Sequence, residues 1–243
     1  DLHRRRHSFP TRRSSDLGDD LGALFDEQSS QEVVLVGTSN SAARDDDTKN
    51  YNFDGYLKEY LSVDILNVAL PGAGQEGALL NYLQSPDYTP DAPPKLIIWE
   101  LPASFRLEDP LMYRQLLPAI AGGCAKGQVL GERKSELPAL PRGQRFELLS
   151  NGGAQRLDLR GKPGFLDIQL ADKNLKDFYV IVYYDNGQCD KQWYRREAIV
   201  AGGQYYLELS QDAAYRDANL LSVFIEPTED LAAPVAVETR LCL

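Results

Sequence analysis

Residues 33–36 read Val-Val-Leu-Val and run directly into Gly37-Thr38-Ser39-Asn40-Ser41. An unbroken apolar run this short, rich in β-branched residues and closed by turn residues, fits a strand buried on both faces. Such strands belong to parallel sheets flanked by helices. The turn that follows then lies at the carboxyl end of a sheet strand, where open α/β folds bind and transform ligands. A serine hydroxyl placed there can act as a nucleophile once a base takes its proton. Ser39 is therefore the first candidate for chemistry.

The neighbouring sequence extends this pattern. Gln31–Gly37 reads as the first strand. Asn52–Leu61 carries apolar residues at 53, 56, 57, 60 and 61, which is helical spacing. Val63–Leu70 reads as a second strand and Gly74–Gln84 as a second helix. Lys95–Leu101 reads as a third strand, after a Pro-rich stretch at 86–94. Strand, helix, strand, helix, strand predicts a right-handed parallel sheet. Its topology would bring the Ser39 turn, the Gly72 turn and the end of the third strand to one edge. The acidic run Asp45-Asp46-Asp47 beside that edge reads as a solvated loop.

From about residue 126 the period changes. Short strands are predicted at Arg145–Leu149, Gln155–Arg160, Leu166–Leu170, Phe178–Tyr184, Trp193–Val200, Gln204–Leu209 and Leu220–Ile225. Gly, Asn and Asp clusters separate them, which is the pattern of an antiparallel sandwich. The boundary is placed in the Gly- and Pro-rich segment Ala121–Pro141. The expected organisation is α/β, a partial parallel sheet with flanking helices over 18–123, then an all-β sandwich over 124–243.

The first seventeen residues are set aside. His7–Leu17 reads as the conceptual translation of a common sequencing adapter over eleven consecutive residues, and such scars carry no fold information. The chain's two histidines, His3 and His7, both fall there. So do five arginines and two aspartates, so the remainder is more acidic than the overall net charge of −10. An acidic chain of this kind argues against nucleic acid as a partner. No apolar run is long enough to span a membrane.

Three cysteines remain, at 124, 189 and 242, with no C-x-x-C pair and no histidine beside them. Neither a metal site nor a cofactor is expected. Cys124 and Cys242 bracket the second half. They fit either a disulfide, which would imply an oxidising compartment, or free buried thiols.

Three sequence blocks stand at the predicted sheet edge: Gly37-Thr38-Ser39-Asn40-Ser41, Gly72-Ala73-Gly74-Gln75, and Trp99-Glu100-Leu101-Pro102. With Asn52-Phe53-Asp54-Gly55-Tyr56-Leu57 they resemble the AlgX-like branch of the SGNH hydrolases, alginate O-acetyltransferases. The resemblance covers most of 30–243. It implies that Ser39 is the acetyl-accepting nucleophile and that the Ser39 and Gly72 amides, with Gly74, form the oxyanion hole. Thr38 stands where the wider superfamily has an acid. The third block lacks the usual Asn, so Ser104 or Arg106 is expected to supply the remaining donor. The resemblance also implies an Asp-x-His pair upstream of the nucleophile, which is not found before Ser39. The chain is thus expected to be a fragment of the enzyme, nearly inactive alone.

The family further implies a C-terminal sandwich that binds the polysaccharide and is closed by a disulfide near its ends, which Cys124 and Cys242 match. Lys191, Trp193, Arg195 and Arg196 combine an aromatic platform with cations suited to an acidic glycan. A strand-core position for Trp193 is the alternative. Of the pairs Tyr183/Tyr184 and Tyr205/Tyr206, one member each is expected to face outward. Arg156, Arg160 and Lys162 form a second basic patch. The implied partners are an alginate-like anionic polysaccharide, an acetyl donor or acetyl-carrier protein, and other exopolysaccharide biosynthesis proteins. The implied compartment is the periplasm. A carbohydrate acetylesterase or a non-catalytic glycan-binding scaffold are the competing readings.

Overall fold

The structure, a computed structural model, describes residues 32–42, 53–210 and 212–243. The adapter-like segment, His3 and His7, the strand start at Gln31, the acidic run 45–47 and the helix start at Asn52 lie outside the described residues.

The first half contains the expected parallel sheet. β1 (Val33–Val36) lies between β2 (Leu66–Asn67) and β3 (Leu96–Trp99). Both pairings are parallel, with Val34 opposite Leu66 and Val36 opposite Trp99. The β1 side chains are buried on both faces. Val34 and Val36 pack with Leu79 and Leu80 of α2 (Gly77–Leu83). Val33 and Leu35 pack with Ile65 and with Leu57 of α1 (Phe53–Leu61). β2 is shorter than predicted, but the ladder runs on past it. Val68 N–H donates to the Leu35 carbonyl at 2.9 Å and Leu70 N–H to that of Gly37 at 3.0 Å.

A third helix, α3 (Pro110–Ile120), was not anticipated. Asp109 caps it by accepting from Leu111 N–H at 3.0 Å, and Pro110 occupies its first turn. Its buried residues Met112, Leu116 and Ala119 follow helical spacing and form one apolar stripe. A short α4 (Gly123–Lys126) follows.

The second half is a sandwich of two four-stranded antiparallel sheets among the described residues. One sheet runs β5 (Phe146–Ser150), β10 (Leu220–Pro227), β7 (Asp177–Tyr184), β8 (Cys189–Arg195). The other runs β4 (Val129–Leu137), β11 (Val235–Cys242), β6 (Phe165–Leu170), β9 (Gln204–Glu208). Two expectations change. Gln155–Arg160 is a loop, because the Asn151 side chain takes its backbone groups: Nδ2 donates to the Leu157 carbonyl and Oδ1 accepts from Leu157 N–H. The strand expected at Trp193–Val200 starts earlier, at Cys189, and ends at Arg195. Beyond it, Ala198 and Val200 turn toward the first half. β4 and β11 were not anticipated.

The outer side of the β9–β6 sheet does not meet water in the usual way. α3 lies along β9. Val34, Val36, Leu79, Leu80, Met112 and Leu116 share one apolar cluster with Phe165, Val200, Tyr206 and Cys242. This explains a further correction: Tyr205 and Tyr206 are both buried, at 1% and 5% exposure. Tyr205 faces the sandwich interior, and Tyr206 faces the helices of the first half. A disulfide joins Cys124 on α4 to Cys242 at the end of β11, while Cys189 is free and exposed.

Candidate active site

The parallel sheet brings three chain segments to one edge: the Gly37–Ala42 turn after β1, the Val68–Gly74 loop after β2, and Glu100 after β3. Ser39 is exposed at the tip of the first. Gly37 permits the crossing of these segments. A Cβ on it would sit 2.8 Å from Glu100 Oε2 and 3.0 Å from Glu100 Cβ.

Glu100 organises the turn. Its Oε2 accepts from Thr38 N–H at 2.8 Å, from Thr38 Oγ1 at 2.9 Å and from Ser41 Oγ at 3.1 Å. Its Oε1 accepts from Asn40 Nδ2 at 3.4 Å. Burial alone would raise the Glu100 pKa; the donors from Thr38, Asn40 and Ser41 outweigh it and hold the carboxyl below its ordinary value. Asn67 adds a second tie. Its Nδ2 donates to the Ser41 carbonyl at 2.8 Å while its Oδ1 accepts from Ala69 N–H.

The remaining amides of the turn are also occupied. Asn40 N–H donates to Thr38 Oγ1, and the Ser41 and Ala42 amides donate to the Thr38 carbonyl at 3.1 Å. The Ser39 amide donates to no described residue. Neither do those of Gly72 and Gly74 across the edge. Both glycines have positive φ, 70° and 72°, the left-handed region that favours glycine. Ser104 and Arg106 are exposed. The Arg106 carbonyl accepts from Gln75 Nε2, which ties this loop to the glycine segment. Its guanidinium has no ion pair among the described residues. Among the described residues no group of three or more His, Cys, Asp or Glu is placed to hold a metal ion.

A polar relay runs from this edge to the sandwich. Glu76, one residue past Gln75, accepts from Gln115 Nε2 at 3.1 Å, and burial pushes its pKa above the ordinary value. Gln115 Oε1 in turn accepts from the Arg196 guanidinium at 2.9 Å. Arg196 also donates to the Gln204 carbonyl at 2.8 Å and lies over the Tyr205 ring. Arg196 is thus a buried bridge between the halves, 8% exposed, and not part of an outer surface.

The other three members of the expected glycan patch do share a face. Along β8, Lys191, Trp193 and Arg195 alternate outward while Asp190, Gln192 and Tyr194 turn inward or lie half-covered. Trp193 is 47% exposed and stacks on Tyr179 of β7 at 5.9 Å. Its indole N–H donates to Asp177 at 2.8 Å. Arg195 lies 5.6 Å above the Trp193 ring and has no carboxylate partner among the described residues. Lys191 lies over Tyr179 and donates to Glu226, which Arg145 also pairs. The second basic patch is largely neutralised: Arg160 forms a two-pronged pair with Asp158, and Arg156 lies 3.8 Å from Asp185.

Two residues central to the edge, Glu100 and Asn67, were not singled out from the sequence. Glu100 had a visible signal, an acid directly after a strand that ends opposite β1. Asn67 had none, because an Asn before a turn is common for many reasons.

Comparison with known proteins places this geometry. The family described as SGNH hydrolase-like domain, acetyltransferase AlgX, matches residues 2–103, and a C-terminal carbohydrate-binding module matches residues 123–243. The alginate biosynthesis protein AlgX of Pseudomonas syringae pv. tomato is 35% identical over 96% of this chain and 46% of that protein. The probable alginate O-acetylase AlgJ of Pseudomonas aeruginosa is 37% identical over 98 residues, 40% of this chain and 23% of that one. A solved structure of Pseudomonas aeruginosa AlgX superposes with a TM-score of 0.74 at 30% identity, over 88% of this chain and 49% of that one. The chain spans about half the length of the curated relatives it matches. By sequence and by fold, the chain is similar to the AlgX family of SGNH hydrolase-like proteins.

Proposed function

We propose that this chain carries the nucleophile and the glycan-binding surface of a polysaccharide O-acetyltransferase acting on an alginate-like polymer. The observation that carries the reading is the state of the Ser39 turn. Its hydroxyl is exposed and its own amide is left without an acceptor among the described residues, as are the Gly72 and Gly74 amides at the same sheet edge. Ser39 Oγ would attack the acetyl carbonyl of a donor and lose its proton to a base. The oxyanion would be held by the Ser39 and Gly72 amides, with Gly74 or Arg106 beside them. The donor's leaving group departs with a proton, and a sugar hydroxyl then takes the acetyl group from Ser39.

The described residues contain no histidine to serve as that base. The imidazole and its orienting acid are proposed to come from outside residues 18–243, so the chain alone holds an unactivated serine. Trp193 and Tyr179 offer flat faces to sugar rings, and Arg195 offers them a guanidinium without a carboxylate partner among the described residues. The acetyl donor, or a protein that carries it, and other exopolysaccharide biosynthesis proteins are the proposed partners. The Cys124–Cys242 disulfide supports an oxidising compartment, proposed to be the periplasm.

The test is acetyl transfer followed by mass spectrometry. The chain is incubated with p-nitrophenyl acetate and imidazole, then with oligomannuronate. Acetyl on the Ser39 peptide, passed to the oligosaccharide and absent in Ser39→Ala, is the expected result. Acetyl released only to water would make it an esterase. An oligosaccharide bound equally well with no acetyl ever on Ser39 would make it a binding scaffold.

A further inference from the structure

We infer that Glu100 is a positioning residue for the nucleophile, one that keeps the Ser39 amide free by occupying the donors around it. This rests on the reading of Ser39 as the nucleophile. Glu100 Oε2 gathers the Thr38 amide, the Thr38 hydroxyl and the Ser41 hydroxyl on one oxygen. Ser41 is 1% exposed, so its hydroxyl has no water to turn to. With Thr38 so fixed, its Oγ1 accepts the Asn40 amide and its carbonyl accepts those of Ser41 and Ala42. Among the described residues, every amide from Thr38 to Ala42 then has an acceptor except that of Ser39.

The choice of a carboxylate follows from this geometry. Three donors converge on one atom, and an ionised oxygen accepts them more strongly than a neutral amide oxygen. The same three bonds leave Glu100 unsuited to take a proton from Ser39. It is anchored to Thr38 and Ser41, and its pKa lies below the ordinary value. Its role is therefore geometric: it fixes where the Ser39 hydroxyl and amide point. Gly37 makes the arrangement possible, because any larger residue would push its Cβ into the Glu100 carboxylate.

Two variants test this, Glu100→Gln, which keeps the shape, and Glu100→Ala, which removes the acceptor. Two measurements are made on each: hydrogen exchange of the Thr38 amide, and the single-turnover rate of Ser39 acetylation by p-nitrophenyl acetate with imidazole as base. Thr38 exchange is expected to speed up in both variants. Acetylation is expected to fall roughly 100-fold in Glu100→Ala, the scale of a misplaced reacting group, and less in Glu100→Gln. Oligomannuronate binding should stay unchanged in Glu100→Gln, which a general loss of structure would not allow. Faster Thr38 exchange with acetylation intact overturns the positioning role and leaves Ser39 as nucleophile. An unmodified Ser39 in the unaltered chain overturns the nucleophile reading and this inference with it.

Discussion

The Arg114 guanidinium donates to the Asp190 carboxylate at 2.7 Å and joins α3 to β8. Both side chains are almost fully buried, and Arg114 also donates to the Glu208 carbonyl. Burial alone would lower the Arg114 pKa, but the Asp190 carboxylate raises it overall. A charge left alone in such a place is costly. Asp190→Ala is expected to lose about 3–5 kcal/mol of stability, read by urea unfolding. Arg114→Met combined with Asp190→Leu should regain more than half of that loss. A double variant no better than the single one would show that packing, not the pair, holds this junction.

The disulfide spans a sequence separation of 118 residues. In the chain-entropy model a loop of that size contributes about 4–5 kcal/mol. Cys242→Ser should lower the urea midpoint by a matching amount, and reductant should lower it in the parent chain but not in the variant. Equal sensitivity to reductant in both would disconnect the effect from this bond.

Glu100 has a folded pKa below its ordinary value of 4.5. Its share of the stability is therefore present above the unfolded pKa and is lost as pH falls through the lower folded value. Melting temperature followed against pH should drop less steeply on the acid side in Glu100→Gln than in the parent chain. Superimposable acid limbs would mean that Glu100 is no more stabilised in the folded state than in the unfolded chain.

Trp193→Ala is expected to weaken oligomannuronate binding by at least about tenfold, with little change in melting temperature because the indole is half exposed. Arg195→Ala should weaken binding and also flatten its dependence on salt, since an exposed cation acts through screened attraction. Calorimetric titration at two ionic strengths separates the two effects. Binding untouched by either substitution would move the glycan surface off β8.

The sequence made the parallel sheet legible because β1 is apolar on both faces, and two-sided burial leaves a continuous run. The sandwich strands were legible where one face is solvated. β4 escaped notice because it is an edge strand, Glu132-Arg133-Lys134 at its centre, paired only with β11. β11 did alternate, with Val235, Val237, Thr239 and Leu241 buried, and the pattern could have been read. Arg196 and Tyr206 misled for one shared reason. Local alternation tells which side of a sheet a residue takes, but not whether another layer covers that side. Ser39, Lys191, Trp193 and Arg195 stood out because their residue types announce chemistry, and the structure leaves all four at the surface. Glu100 was harder to see, because its role exists only where β3 meets β1.

A module that can be moved from protein to protein closes its own core. Residues 123–243 close an inner core of their own but not their outer face: Phe165, Val200, Tyr206 and Cys242 complete their packing against β1, α2 and α3. Cut free, that sheet would present an oily face to water and would tend to stick to whatever lay near. The sandwich is therefore not a detachable tag but half of a joint. Ser39 and Trp193 stand on halves joined by one shared apolar cluster and by the Cys124–Cys242 bond, so the gap between them is set by packing rather than by a tether.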